Sequence, residues 1–127
     1  VKTHIKFKRF IKGNSLQEKV FGFYYDGLKY WRLNGNLHRE DGPASEYSNG
    51  TKSWYLNGNY HRVDGPAIEY WDGTKYWYLN GNLHREDGPA IESNGSKEWY
   101  LNGKQFLYEK DYWEAMEDYK KRNKNTK

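Results

Sequence analysis

The strongest constraint in this sequence is a period. Trp31, Trp54, Trp77 and Trp99 stand 23, 23 and 22 residues apart, and Gly35, Gly58, Gly81 and Gly103 keep the same spacing. The segment His-Arg-x-Asp-Gly-Pro-Ala occurs three times, beginning at His38, His61 and His84. The third unit has lost one residue between Ala90 and Gly95, which accounts for the final spacing of 22. A weaker copy precedes them, with Gly13 lying 22 residues before Gly35 and Gly27 lying 23 before Gly50. Periods of this size belong to stacked or meandering units, each too small to bury its apolar face alone.

Of the 13 glycines, 11 directly follow Asn or Asp. Such pairs tolerate positive φ and match the twist of paired strands, so each marks an expected hairpin turn. Within a unit, x-Trp-Tyr/Arg-Leu alternates as a strand does. Asn-Gly-x-x-His-Arg-x-Asp-Gly reads as a loop, and Pro-Ala-x-Glu-x opens a second strand, where a leading Pro sacrifices no needed donor. Two strands per unit make a mainly β fold, a single-layer antiparallel meander of about eight strands.

The C-terminal end breaks the pattern. Tyr108, Tyr112, Ala115, Met116 and Tyr119 share one helical face. Glu109 and Asp111 begin that segment and Lys120 to Arg122 end it, as the helix dipole favours. A capping α-helix over the last hairpin is expected, since open sheet edges need cover. The chain then divides, within one repeat domain over 1–127, into a degenerate N-terminal cap repeat (1–27), three and a half hairpin repeats (28–104), a capping helix (105–122) and a basic tail (123–127).

Composition bears on whether such a chain folds at all. Leu, Ile, Val and Phe number only 21, a level that warns of disorder. Against this stand 13 Tyr and 6 Trp, whose large rings can build a core with few aliphatics. There is no Cys, so disulfides and thiolate metal sites are excluded. No apolar run approaches the roughly 20 residues of a membrane span, and no signal-type stretch follows the basic N-terminus. A cytoplasmic location is expected. The net charge of +4 is uneven: residues 26–104 carry 9 Lys/Arg against 11 Asp/Glu, and the flanks carry 12 against 6.

The Trp-Tyr-x-Asn-Gly-x-x-His-Arg-x-Asp-Gly-Pro-Ala unit resembles the MORN-type repeat, in its second class, over roughly residues 13–104. The likeness implies a rod or curved sheet of hairpins. It also implies company among phage, giant-virus and bacterial arrays, some of them antitoxin components. A small inhibitor that sequesters a host defence protein, acting in a bacterial cytoplasm, is the sharpest expectation it supports. The unit departs from the standard MORN pattern, with Asp-Gly-Pro-Ala in place of Gly-x-Gly and Trp-Tyr-Leu in place of Tyr-x-Gly. Lipid binding ascribed to some MORN proteins therefore transfers weakly.

The three His-x-x-Asp sets invite a metal or catalytic assignment, and geometry opposes it. Equivalent residues of successive units lie two strands apart, about 9–10 Å, whereas ligands of one zinc sit within about 4 Å of each other. Ser45 and Ser53 have no counterparts in the other copies, and no nucleophile–base set recurs. No enzyme activity, metal or cofactor is expected. A structural role fits better: Asp41, Asp64 and Asp87 accept from their own turns, Arg39, Arg62 and Arg85 pair with acids of neighbouring units, and the Trp/Leu column forms the core.

Function is then sought where the copies differ. On the opposite strand face run Arg32, Tyr55, Tyr78 and Tyr100, beside Tyr30, Ser53, Tyr76 and Glu98. The middle unit has Val63 where its neighbours have Glu40 and Glu86, Tyr60 where they have Leu37 and Leu83, and Trp71 where the first has Ser48. Apolar groups exposed at turns gain little from folding and mark contact sites. A protein-binding patch around Tyr60, Val63 and Trp71, with Tyr55, Tyr78 and Tyr100, is the expectation. The alternatives are single-stranded nucleic acid bound through Tyr stacking and the basic termini, and self-assembly through sheet edges or faces.

Overall fold

The computed structural model describes residues 4–10 and 19–124. The chain runs through β1 (His4–Phe10), β2 (Lys19–Tyr25), β3 (Leu28–Leu33), β4 (Asn36–Leu37) and β5 (Ser45–Tyr47). It continues through β6 (Lys52–Ser53), β7 (Tyr55–Leu56), β8 (Asn59–Tyr60), β9 (Ile68–Glu69) and β10 (Lys75–Tyr76). Then follow β11 (Tyr78–Leu79), β12 (Asn82–Leu83), β13 (Ile91–Ser93), β14 (Ser96–Leu101), β15 (Lys104–Phe106) and α1 (Glu109–Lys124). Gly13 of the degenerate copy, and Lys2, Lys12 and Lys127 of the basic flanks, lie outside the described residues.

The expected architecture is present. One sheet carries the chain from end to end in the order β1-β2-β3-β5-β6-β9-β10-β13-β14-β15, antiparallel throughout. Its register is written in charge. Lys29 pairs with Glu46, Glu46 with Lys52, Lys52 with Glu69, Glu69 with Lys75, Lys75 with Glu92 and Glu92 with Lys97. Every glutamate in that row stands between two lysines. Opposite charges directly across a strand pair are favourable, and a one-residue slip would remove the whole row from alignment.

Each unit holds more strand than the sequence suggests. The residues after the Asn-Gly turn, read as loop, pair back: Tyr55 with Tyr60 and Leu56 with Asn59, and likewise Tyr78 with Leu83 and Leu79 with Asn82. The meander therefore carries a second row of short hairpins, β7-β8 and β11-β12, beside the main sheet. Asn57 (φ 51) and Gly58 (φ 82) are both left-handed, the type I′ geometry that suits a two-residue hairpin. Three Asp-Gly pairs behave otherwise. Gly42, Gly65 and Gly88 are not among the positive-φ residues, so those pairs are not hairpin turns.

The Trp/Leu column is core only at its ends. Trp31 and Leu33 are buried with Val20, and Trp99 and Leu101 are buried under Tyr112 and Met116 of α1, with Phe106, Ala115 and Tyr119 at the margin. Trp54, Leu56, Trp77 and Leu79 are half-buried, because a single-layer sheet has no second layer over its middle. The helix begins at Glu109 and not at 105, since Lys104–Phe106 form the return strand of the last hairpin. Among the described residues, no helix is long and apolar enough to cross a membrane.

Candidate functional site

The His-Arg-x-Asp-Gly-Pro-Ala loop closes on itself around its arginine. In the middle unit, Arg62 Nε donates to Asp64 (3.1 Å) and Nη1 donates to the Pro66 carbonyl (3.0 Å) and to Glu69 (2.9 Å). The guanidinium carbon lies 3.8 Å from the centre of the Trp54 ring. Arg39 repeats this over Trp31 at 3.9 Å, and Arg85 over Trp77 at 3.8 Å. Stacking of this kind contributes about 0.5–2 kcal/mol, more as water is excluded. It also explains the glycines. A Cβ on Gly65 would come within 2.9 Å of the Arg62 guanidinium carbon, so the loop needs Gly for close approach and not for its turn.

One expectation is corrected here. The arginines pair with acids of their own unit, Asp41 and Glu46, Asp64 and Glu69, Asp87 and Glu92, and not with those of a neighbour. The aspartates accept from the arginine two residues earlier in their own loop and complete this Arg-Asp clasp. The link between units is made by histidine instead. His38 Nδ1 accepts the Asn57 backbone N–H, His61 Nδ1 that of Asn80, and His84 Nδ1 that of Asn102, each at 2.9 Å. The Gly58, Gly81 and Gly103 amides add bonds to the Leu37, Tyr60 and Leu83 carbonyls. Each imidazole nitrogen facing the next turn is thus committed to structure, and among the described residues no three His, Asp or Glu side chains converge on a metal position.

Alternation then sorts the remaining side chains onto two faces. On the Trp face, successive loops stand as walls with a groove between them. Trp54 and Leu56 floor the groove between the loops at Arg39 and Arg62, about 820 Å³. Trp77 and Leu79 floor the one between the loops at Arg62 and Arg85, about 720 Å³. Val63 lines both, and it is 83% exposed. In the outer units the corresponding Glu40 and Glu86 reach back toward His38 and His84, at 3.5 and 2.9 Å. Val63 offers His61 no such partner, and it removes a charge from the wall the two grooves share.

On the other face the tyrosines gather. Tyr55 and Tyr60 lie 4.4 Å apart between ring centres, Tyr60 and Tyr78 5.0 Å, Tyr70 and Tyr76 5.6 Å and Tyr76 and Tyr78 6.4 Å. Tyr55, Tyr60 and Tyr70 of this group border a trough of about 450 Å³ with Tyr30, Ile68 and Arg32. Burial, with the Tyr60 hydroxyl beside it, pushes the Tyr55 hydroxyl well above the ordinary phenol range. Burial likewise raises Tyr70 and Tyr78, and Tyr100 is raised by burial together with its bond to Glu98. These hydroxyls stay protonated at neutral pH and act as neutral hydrogen-bonding groups.

The sequence candidates are therefore divided between places. Tyr55, Tyr60 and Tyr78 come together in the tyrosine ladder, and Tyr100 continues their column beside Glu98. Val63 stands on the Trp face. Trp71, 68% exposed, sits at the far end of β9, where its backbone N–H donates to Thr51 Oγ1 at 3.2 Å. The strand after Pro66 separates Val63 from Trp71, so Tyr60, Val63 and Trp71 do not form one patch. The grooves floored by Trp54, Leu56, Trp77 and Leu79 were missed, because the whole column was read as core. The signal was available: four Trp-bearing units are followed by a single helix, which can cover only one of them. Compared with protein-family models, curated proteins and solved structures, the chain gives no match.

Proposed function

We propose that this chain is a non-enzymatic protein-binding module. The observation that carries the reading is Val63: an apolar residue, four-fifths exposed, placed between two open grooves floored by half-buried Trp and Leu. Exposed apolar surface of this kind is a cost to a solitary soluble chain and an asset at an interface. The resemblance of its units to phage and antitoxin-associated arrays supports the narrower form, an inhibitor that sequesters a host defence protein in the cytoplasm. Affinity capture from host lysate, with Val63→Glu in parallel, tests the reading. A partner retained by the native chain and lost from the variant is expected. Equal retention by both sinks it.

A second reading rests on the tyrosine ladder, whose closely spaced rings and flanking Arg32 suit unpaired bases. Affinity of that kind comes mainly from neutralising phosphates, and the repeat region carries a slight excess of acid. Steep, salt-dependent retention on single-stranded DNA or RNA would bring this reading forward. Self-assembly through sheet edges would instead raise the solution mass with concentration.

A further inference from the structure

The protein contains one example of how a Trp/Leu groove is filled. Beyond the loop at Arg85 there is no fourth His-Arg-x-Asp-Gly-Pro-Ala segment, and α1 lies in its place over Trp99 and Leu101. Tyr112 and Met116, one helical turn apart, supply the apolar cover, with the Tyr112 ring 4.9 Å from that of Trp99. The Tyr112 hydroxyl does a further job. It donates to the Arg85 carbonyl and accepts from the Gly88 amide, bridging two backbone groups of the adjacent loop.

The same pair of groups exists in the other loops. Among the hydrogen bonds of the described residues, the Arg62 carbonyl and Gly65 amide have no partner, and neither have the Arg39 carbonyl and Gly42 amide. Each pair borders a groove that no side chain fills: Arg62 and Gly65 the one over Trp77 and Leu79, Arg39 and Gly42 the one over Trp54 and Leu56. The groove over Trp77 and Leu79 is the one next to α1, whose Lys120 helps line it beside Glu86 and Asp87.

Charge indicates what would approach. Each loop arginine is already set against two acids of its own unit. The groove over Trp54 and Leu56 sets Glu40, Asp41 and Asp64 against Arg39 and Arg62, one acid in excess. The groove over Trp77 and Leu79 sets Asp64, Glu86 and Asp87 against Arg62 and Arg85, an excess that Lys120 balances. Lys120 of α1 lines the groove over Trp77 and Leu79 together with Glu86 and Asp87, which makes a basic flank the complement the fold itself uses.

We propose that the two grooves flanking Val63 seat an amphipathic helix of a partner protein, basic along its flanks, which inserts a tyrosine to bridge the Arg62 carbonyl and Gly65 amide as Tyr112 bridges Arg85 and Gly88. The inner grooves keep both loop walls, so the helix lies across the rims and sends only side chains inward. Val63 is the wall residue common to both seats, and a glutamate there would place a charge against the apolar side of the helix. This rests on the protein-binding reading and names its partner's chemistry.

The test uses the full chain and a synthetic peptide of residues 108–124 carrying Glu114→Lys, Glu117→Lys and Asp118→Lys, all exposed positions on α1. Titration followed at the indole N–H signals should shift Trp54 and Trp77 and leave Trp99 in place. A peptide with Tyr112→Phe should bind at least about fivefold more weakly, since the hydroxyl's two bonds are each worth about 0.5–1.5 kcal/mol net. The Val63→Glu protein should bind at least tenfold more weakly, with its melting temperature unchanged. Silence at Trp54 and Trp77 up to millimolar peptide overturns the proposal. So does a shift confined to Trp99, which would mean exchange with α1, and so does indifference to both substitutions. Because the titration needs only purified components, its failure removes the helix alone, whereas failure of the lysate capture removes the partner reading itself.

Discussion

Trp99 and Trp77 hold the same place in successive units, and their surroundings differ. Trp99 is buried beneath Tyr112 and Met116, both at or below 1% exposure. Trp77 has the Arg85 guanidinium on one side and an open groove beyond it. The repeat thus generates an apolar stripe that it cannot itself cover. Elements outside the repeat close the two ends, β2 through Val20 and α1 through its buried turn, and the middle is left to a guanidinium and solvent. Stability and binding capacity are drawn from one stripe at different positions along it.

The sharpest way to break this contrast is to cut the covered end. Tyr112→Ala removes a fully buried ring and the bridge to Arg85 and Gly88, and should cost about 3–5 kcal/mol in urea unfolding. Trp54→Ala, at a half-buried position, should cost at least about 1 kcal/mol less by the same measurement. Equal losses would mean that the middle of the stripe is as much core as its end. The histidines give a second, smaller contrast. His84→Leu replaces a buried imidazole and leaves the part-buried Asn102 N–H without its acceptor, and should cost about 1–3 kcal/mol. His61→Leu, in the more exposed middle unit, should cost clearly less.

Alkali tests the other face. Tyr55, Tyr70, Tyr78 and Tyr100 are all raised, chiefly by burial, so the folded chain keeps these protons longer than the unfolded chain does. Their contribution is complete below the unfolded phenol value of about 10 and is lost as pH climbs above it. Unfolding free energy should fall as pH rises from about 10 upward, and Tyr55→Phe should flatten that fall. The smallest effect belongs to Val63→Glu. At an exposed loop position it should move stability by no more than about 0.5 kcal/mol, which is what makes it a clean probe of binding.

Much of the fold was legible because local chemistry decides it. Asn57-Gly58 can form a type I′ turn without help from the rest of the chain, and the spacing of Tyr112 and Met116 places them on one helical face whatever lies beneath. The site was less legible for the opposite reason. Nothing local tells Arg62 whether its acid will be Asp64 or a residue of the next unit, or says that Gly65 is there to let a guanidinium lie flat on Trp54. Those facts appear only once the loop has folded back over its own strand. The return strand Asn59–Tyr60 was missed in the same way, since its pairing with Tyr55 and Leu56 outweighs the weak strand preference of Asn. The pattern marked Val63 as an apolar residue in a charged register, but it could not show that a strand's length lies between Val63 and Trp71.

The bond from each histidine to the asparagine of the next turn has a consequence for how such a chain can change over time. Every joint between units uses the same donor and the same acceptor, so no unit carries an address that fits only one neighbour. A segment of 23 residues copied or deleted in frame would leave both flanking joints their usual partners. Unequal recombination between near-identical stretches could therefore lengthen or shorten the array, adding or subtracting a groove each time, while the two closing ends stayed as they are.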